Sequence, residues 1–307
     1  MKAAVIGAGL VGRSWAMVFA RGGAEVAVWD QDSSQVSRAL ASISQSLKDM
    51  QQAGLIASAG DLRARIHAAQ DLRGAVSGAD HVQENIVEVA APKQALFAEF
   101  EKYAPADAVL ASSTSAIMPS ILFADLPSRA RCLVAHPINP PHLAPIVELC
   151  GAPFTDGDAV ARTARFMSDC GMAPVTVKRE IEGFILNRLQ LAVLNEAFRL
   201  IGEDYVSAED LDRTFKDGLA LRWSFMGPIE TIDLNAPDGV ADYLRRYGPT
   251  IRRVGEQQAA AAPWLDSIGE KLEAGRRALV PREELAAAQA RRDRRLMALA
   301  VHKRTEA

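Results

Sequence analysis

The chain reads as an α/β protein in which a doubly wound, mostly parallel sheet precedes an all-helical C-terminal part. Three observations predict this. The sequence opens on a strand, a glycine-rich turn, a helix and a second strand; short apolar strands then alternate with helical stretches; and beyond Lys178 the strand pattern stops. Residues 2–7 read as a buried strand, 10–21 as a helix and 25–29 as a strand. An amphipathic helix follows over 33–53 and a shorter one over 61–69. Further strands are expected at 80–85, 108–112, 131–136, 146–150 and 173–178, with helices at 91–103, 119–124 and 156–170. One long helix is expected over 183–203, then helices at 208–216, 228–234, 241–262 and 282–303. The composition change at 179–182 divides the chain into domains 1–179 and 180–307.

Gly7, Gly9 and Gly12 are spaced as GxGxxG in the first strand–helix turn. The first permits a tight turn, the second lets backbone approach a pyrophosphate, and the third lets helix and strand pack closely. The helix N-terminus that follows favours phosphate charge. Asp30 closes the second strand, where a carboxylate can hold both ribose hydroxyls, and Gln31-Asp32 supplies no arginine for a 2′-phosphate. This is a Rossmann-type signature, and it predicts NAD rather than NADP, because Asp30 would repel the extra phosphate.

A second motif is His136-Pro137-Ile138-Asn139-Pro140-Pro141, followed by Glu148 on the next short strand. A neutral imidazole can remove a proton near neutral pH, and a carboxylate on its other nitrogen fixes the tautomer and stabilises the imidazolium. Standing alone, the segment would better suit a core histidine and a surface glutamate in a turn.

Composition narrows the class. With 307 residues and a net charge of −3, there is no electrostatic reason to expect nucleic acid or a membrane surface. The basic cluster Arg291, Arg292, Arg294 and Arg295 is expected to be a solvated helix face. Cys132, Cys150 and Cys170 form no CxxC and read as reduced, buried thiols of a cytoplasmic protein. No apolar run reaches transmembrane length, and no metal site is read. The apolar faces of the helical part lead to an expected homodimer through it.

Taken together, these segments resemble the 3-hydroxyacyl-CoA dehydrogenase superfamily, with the lambda-crystallin / L-gulonate 3-dehydrogenase branch the nearest likeness. The shared segments are Gly9-Leu10-Val11-Gly12-Arg13-Ser14-Trp15-Ala16, Ser112-Ser113-Thr114-Ser115, the stretch from His136 to Glu148, and Gly183-Phe184-Ile185-Leu186-Asn187-Arg188. Leu221-Arg222-Trp223 and Gly227-Pro228-Ile229-Glu230 complete them. The resemblance implies a base in His136, an orienting partner in Glu148, and hydrogen bonds to the reacting oxygen from Ser115 and Asn187. It further implies that Asn139, Glu88 and Lys93 lie at the nicotinamide half of NAD, and that Leu10, Val11 and Asp30 contact its pyrophosphate and ribose. Each has a plainer alternative: a helix cap for Ser115, a packed polar residue for Asn187, a surface ion pair for Glu88 and Lys93.

The implied reaction is NAD-dependent oxidation of the C3 hydroxyl of a 3-hydroxy acid. Relatives that use CoA carry cations on the hairpin after the second strand, whereas residues 33–70 here offer only Arg38, Lys48, Arg63 and Arg65. Arg222, whose planar fork suits a carboxylate, points instead to a small free acid, although an interdomain or subunit salt bridge would explain it equally well. Alternatives are a 3-hydroxybutyryl-CoA dehydrogenase, an L-carnitine dehydrogenase, for which the aromatics are few, and a non-catalytic crystallin-like structural protein.

Overall fold

The structure is a computed structural model that describes residues 1–259 and 265–305. Its residues group into two compact units, Met1–Arg188 together with Arg292–Ala307, and Leu189–Arg291.

In the first unit the strands are β1 (Lys2–Ile6), β2 (Glu25–Trp29), β3 (Ile66–Ala68), β4 (His81–Glu84), β5 (Val109–Ser112), β6 (Cys132–Pro137), β7 (Ile146–Gly151) and β8 (Ala173–Val177). The helices between them are α1 (Leu10–Arg21), α2 (Ser33–Gln52), α3 (Ala59–Ala64), α4 (Leu72–Val76), α5 (Ala90–Tyr103), α6 (Pro119–Phe123) and α7 (Gly157–Asp169). The strands form one sheet in the order β3-β2-β1-β4-β5-β6-β7-β8. Every pairing is parallel except β6 with β7. The order reverses between β1 and β4, which in such sheets opens a ligand crevice at the carboxyl ends of the strands.

Alternate strand residues feed two cores, as a sheet covered on both faces requires. Ala3 and Val5 join Trp15, Phe19, Ile43, Leu47 and Phe166 on one face, whereas Ala4 and Ile6 join Phe97, Phe100 and Phe123 on the other. Burying each large side chain is worth about 1.5–3 kcal/mol. Cys132, Cys150 and Cys170 are buried free thiols whose pKa values burial pushes up to about 12, which leaves them unreactive.

Several expectations need correction. The helix expected over 61–69 is the short α3 followed by an edge strand. Ile66 is fully buried and pairs with Val26, so Ile66–Ala68 extends the sheet instead of the helix. The short α4 was not anticipated. The long helix expected from Gly183 begins at Leu186, because Gly183 and Phe184 both adopt left-handed backbone.

The second unit is helical. After α8 (Leu186–Gly202) come α9 (Ala208–Thr214), a π-helical stretch Phe215–Leu219, α10 (Ala220–Trp223), α11 (Pro228–Leu234), α12 (Gly239–Gln258) and α13 (Leu265–Leu279). The helix expected over 241–262 corresponds to α12, and residues 260–262 lie outside the described residues. No helix was expected over α13. Lys271 bonds Asp204 at 2.7 Å and buried Asp242 takes Arg246 at 2.9 Å, while Leu221, Phe225, Ile229 and Leu234 stay exposed.

The last helix, α14 (Leu285–Thr305), departs from the expected division. The sequence placed all of 180–307 in one helical domain, yet residues 180–188 and those from Arg292 onward group with the first unit. The physical reason for the C-terminal return is an apolar face. Met297 is 4% exposed in the core that also holds Trp15 and Leu47, with Leu296, Ala300 and Val301 packed beside it. Arg304 adds a bond to the Leu55 carbonyl at 2.9 Å. Among the described residues no helix is long and apolar enough to cross a membrane.

Met297→Ala should therefore destabilise the protein by about 2–3 kcal/mol in urea unfolding, as expected for emptying a core site. An effect within about 0.5 kcal/mol, as at an exposed position, would contradict this packing.

Candidate active site

The turn between β1 and α1 is built by close approach. A Cβ on Gly12 would lie 1.9 Å from the Gly7 carbonyl oxygen, and one on Gly7, at φ +94°, would lie 2.7 Å from the Asn85 carbonyl oxygen. Only glycines let α1 start this close to the sheet. A Cβ on Gly9, by contrast, would meet nothing within 4 Å. Gly9 faces a cavity of about 630 Å³ that Asp30, Gln31, Asn85 and Ile86 also line. Leu10 is exposed and Val11 half-buried at the helix start. Asp30 accepts the Ala8 N–H at 2.8 Å and the Asp32 N–H at 3.0 Å, so the acid both braces the glycine turn and borders the cavity. Asp32 caps α2 through the Ser34 N–H and pairs with exposed Arg38 at 3.3 Å. The open backbone at Gly9, the helix N-terminus and the bordering acid fit a dinucleotide carrying free ribose hydroxyls.

The antiparallel register of β6 and β7 sets His136 directly opposite Glu148. The Nδ1–H of His136 donates to Glu148 Oε2 at 2.8 Å, with the two side chains 4% and 3% exposed. An ionised carboxylate can only accept, so this bond fixes the tautomer and leaves Nε2 as the acceptor nitrogen. No group among the described residues bonds Nε2. Glu148 Oε1 accepts the N–H groups of Ile185 and Leu186 at 2.8 and 2.9 Å. Burial pushes the Glu148 carboxyl up, but the bonds from His136, Leu186 and Ile185 outweigh it and hold the group below the usual carboxylate value.

A second cluster shapes the loop after β5. Glu88 Oε1 accepts Thr114 Oγ1–H at 2.5 Å and the N–H groups of Ser115 and Ala116 at 2.6 and 3.1 Å. Ser115 is exposed, and its carbonyl accepts Asn187 Nδ2–H at 2.7 Å, which brings these two candidate residues together. Lys93 lies lower than expected. It is 1% exposed, donating to Glu84 at 2.7 Å and to the Ile86 carbonyl at 3.2 Å, with Glu88 at 3.5 Å. Of the surface ion pair considered for Glu88 and Lys93, only Glu88 is exposed; the buried Lys93 takes the buried Glu84 as its nearer partner, because an interior ammonium must be partnered. Burial pushes the Glu84 carboxyl up, opposed by Lys93, Ser112 and the Ile86 N–H. Asn139 is exposed on the loop between β6 and β7, followed by a cis bond to Pro140.

Comparison with known proteins decides the family. The family model for the 3-hydroxyacyl-CoA dehydrogenase NAD binding domain matches residues 2–181, and that for the 3-hydroxyacyl-CoA dehydrogenase C-terminal domain matches residues 183–280. The chain belongs to the 3-hydroxyacyl-CoA dehydrogenase family. A lambda-crystallin homolog of Bos taurus is 44% identical over 304 residues, covering 97% of this chain and 94% of its own length. An L-carnitine dehydrogenase of Bacillus cereus is 32% identical over 272 residues, covering 88% of this chain and 80% of its own. Among solved structures, a 5-formyl-3-hydroxy-2-methylpyridine 4-carboxylic acid 5-dehydrogenase, described as an NAD+-dependent dismutase, superposes with a TM-score of 0.82. It shares 27% identity and covers 97% of this chain and 96% of its own. The protein is an NAD-dependent oxidoreductase that acts on a hydroxyl group.

Two further placements matter for this dehydrogenase. Arg222 lies exposed on α10 in the second unit, with no ion-pair partner among the described residues. In the first unit, a buried polar chain escaped the sequence reading. His81 Nε2–H donates to Gln83 Oε1 at 2.9 Å, and Gln83 Nε2 donates to Ser113 Oγ at 2.7 Å and to the Ala135 carbonyl at 3.3 Å. Ser113 also accepts Trp15 Nε1–H at 2.9 Å and donates to Asn85 Oδ1 at 2.8 Å. Burial pushes His81 down to about 4, so it stays neutral. The chain ties α1, β4 and β5 to the residue preceding His136. Its one trace in the sequence is polar residues at the alternate positions His81 and Gln83 of an otherwise apolar strand.

Lys93→Met should lower stability by about 3–5 kcal/mol in urea, since it strands Glu84 as an unpaired buried carboxylate. Replacing both residues, Glu84→Gln with Lys93→Met, should recover part of that loss; equal losses in the single and double variants would contradict the pairing.

A pH dependence follows from Glu148. Its folded-state pKa is depressed below the ordinary 4.5, so its stabilisation is present above that value and lost as pH falls through the depressed one. The stability advantage of the wild type over Glu148→Gln should hold above about pH 5 and shrink below it. A pH-independent difference in denaturation midpoints would rule the linkage out.

Proposed function

We propose that this dehydrogenase oxidises the C3 hydroxyl of a small, free L-3-hydroxy carboxylic acid, as an L-gulonate 3-dehydrogenase does, with His136 as general base. The buried 2.8 Å pair of His136 with Glu148 carries the reading. With Nδ1–H committed to Glu148, Nε2 takes the hydroxyl proton, and the carboxylate stabilises the imidazolium. Ser115 and Asn187 are neutral donors suited to the developing alkoxide, since they do not compete for that proton. Gly7, Gly9, Leu10, Val11, Gly12 and Asp30 would hold NAD along the crevice, with Glu88, Ser115 and Asn139 toward its nicotinamide; when bound, NAD accepts the hydride that leaves C3. In this arrangement Lys93 sets the shape of the Glu88 loop from beneath.

The preference for a free acid rests on the engagement of cations after β2. Arg38 is paired with Asp32; Arg63 bonds Ser44 Oγ at 3.1 Å and the Ile66 carbonyl at 2.6 Å; Arg65 bonds Glu25 and the Gly23 carbonyl, each at 3.1 Å. Of the four cations on this span Lys48 alone is left for the phosphates of CoA, which need several. Arg222 offers an uncommitted fork for one carboxylate. The structurally similar enzyme named for a pyridine carboxylic acid supports the same preference, and the exposed apolar residues of the second unit support a homodimer. Retention of the paired His136 and Glu148 favours an enzyme over a purely structural crystallin.

His136→Gln should reduce turnover by about 10²- to 10⁴-fold while the NADH dissociation constant stays unchanged. NADH absorbance with L-gulonate, L-carnitine and 3-hydroxybutyryl-CoA in parallel tests the substrate class. Turnover is expected on the first; activity confined to the thioester or to L-carnitine would replace the proposed substrate, and inactivity on all three would favour the structural role.

A further inference from the structure

Between β8 and α8 the backbone passes through two successive left-handed residues, Gly183 at φ +74° and Phe184 at φ +50°. Such a conformation is ordinary for glycine but uncommon for a residue as bulky as phenylalanine, and it persists only where the surroundings over-determine it. Here they do. Phe184 is fully buried in the core that also holds Phe97 and Phe123, and its N–H donates to the Ile181 carbonyl at 3.1 Å. Its ring lies 5.5 Å from the His136 ring, tilted by 39°. The next two N–H groups, those of Ile185 and Leu186, converge on Glu148 Oε1, while Oε2 receives His136.

Packing alone would need the ring and not the left-handed backbone. A turn alone would need the backbone and would be better served by glycine or asparagine. Both requirements meet at one position. An extended or right-handed Phe184 would rotate the peptide planes that follow and carry the Ile185 and Leu186 N–H groups off the carboxylate.

We propose that Phe184 is a positioning residue for the oxidation: its left-handed backbone aims two N–H groups at Glu148 while its ring backs the His136 imidazole, so that both members of the pair are held from two sides. The inference rests on the reading of His136 as the base. It adds that the pair is aligned from outside the β6–β7 hairpin, by the segment that leads into α8.

Two substitutions separate the two parts of the device. Phe184→Leu keeps an apolar side chain in the core but removes the ring. Gly183→Ala disturbs the left-handed turn without filling occupied space, since the nearest atoms to its Cβ, Arg188 Cγ and Asn187 Cβ, lie 3.6 and 3.8 Å away. Each variant is assayed on the full chain, at a temperature where its unfolding curve shows it folded, beside the wild type and His136→Gln. Each should lower kcat by about tenfold or more, while KM for NAD and the NADH dissociation constant stay within about twofold. Wild-type kcat in folded Phe184→Leu, or parallel losses of kcat and NADH affinity, would overturn the inference while leaving the base assignment standing. Wild-type turnover in His136→Gln would remove the base assignment itself, and this inference with it. Should Gly183→Ala fail to fold, Phe184→Leu and Phe184→Met decide on the same criteria.

Discussion

The antiparallel pairing of β6 with β7, set within a sheet whose other pairings are parallel, is the constraint from which the site follows. Directly opposed residues of an antiparallel pair project to the same face within side-chain reach. His136 and Glu148 therefore meet through strand register, with no flexible loop left to bring them together. A slip of one residue would oppose His136 to Val147 or Leu149 and turn the carboxylate to the other face. The slip is resisted because Val134, Ala135, Val147 and Leu149 are all buried to 0% exposure, so each would lose its place in a core. Apolar packing thus specifies a polar contact.

Around that pair, the most deeply buried polar side chains of β4, β5 and α5 are each partnered. Glu84, Lys93, Gln83 and Ser112 are almost wholly shielded from water, and each has bonds to side chain or backbone. Leaving one unmatched in a low-dielectric interior would cost more than its bond returns in water. The consequence is mechanical as well as energetic. Hydrogen bonds join the Glu88 loop to Thr114 and Ser115, and tie α1, Ser113 and Gln83 to the residue before His136, so the groups around the candidate site rest on a fixed floor.

How much of this could be read from the chain depended on how local each signal was. The glycine spacing, Asp30 and the alternation of strands with helices are written in contiguous residues, and the sheet they imply is present with most boundaries within a residue or two. The pairing of His136 with Glu148 was also legible, because two short strands joined by a proline-rich turn leave few registers. Ile66–Ala68 was not, since a three-residue edge strand carries too little periodicity to be told from a helix end. Nor was the hydrogen-bonded chain through Gln83 and Ser113, which exists only once β4, β5, β6 and α1 are side by side. The start of α8 was misjudged because the apolar pattern continues through Gly183 and Phe184 while the backbone does not. Lys93 and Glu88 were placed side by side by sequence, but the burial of the lysine beneath the loop is a tertiary fact.

The return of α14 to the first unit bears on how the chain comes into being. A ribosome delivers residues in order, and a dinucleotide-binding half that lay wholly within the first 188 residues could finish folding while the rest was still being made. Here Met297, Leu296, Ala300 and Val301 join the core that holds Trp15 and Leu47, and they follow Leu189–Arg291 in the chain. During translation that part of the core stays open until α14 has emerged, so completion of the N-terminal half waits for a segment made after the second unit.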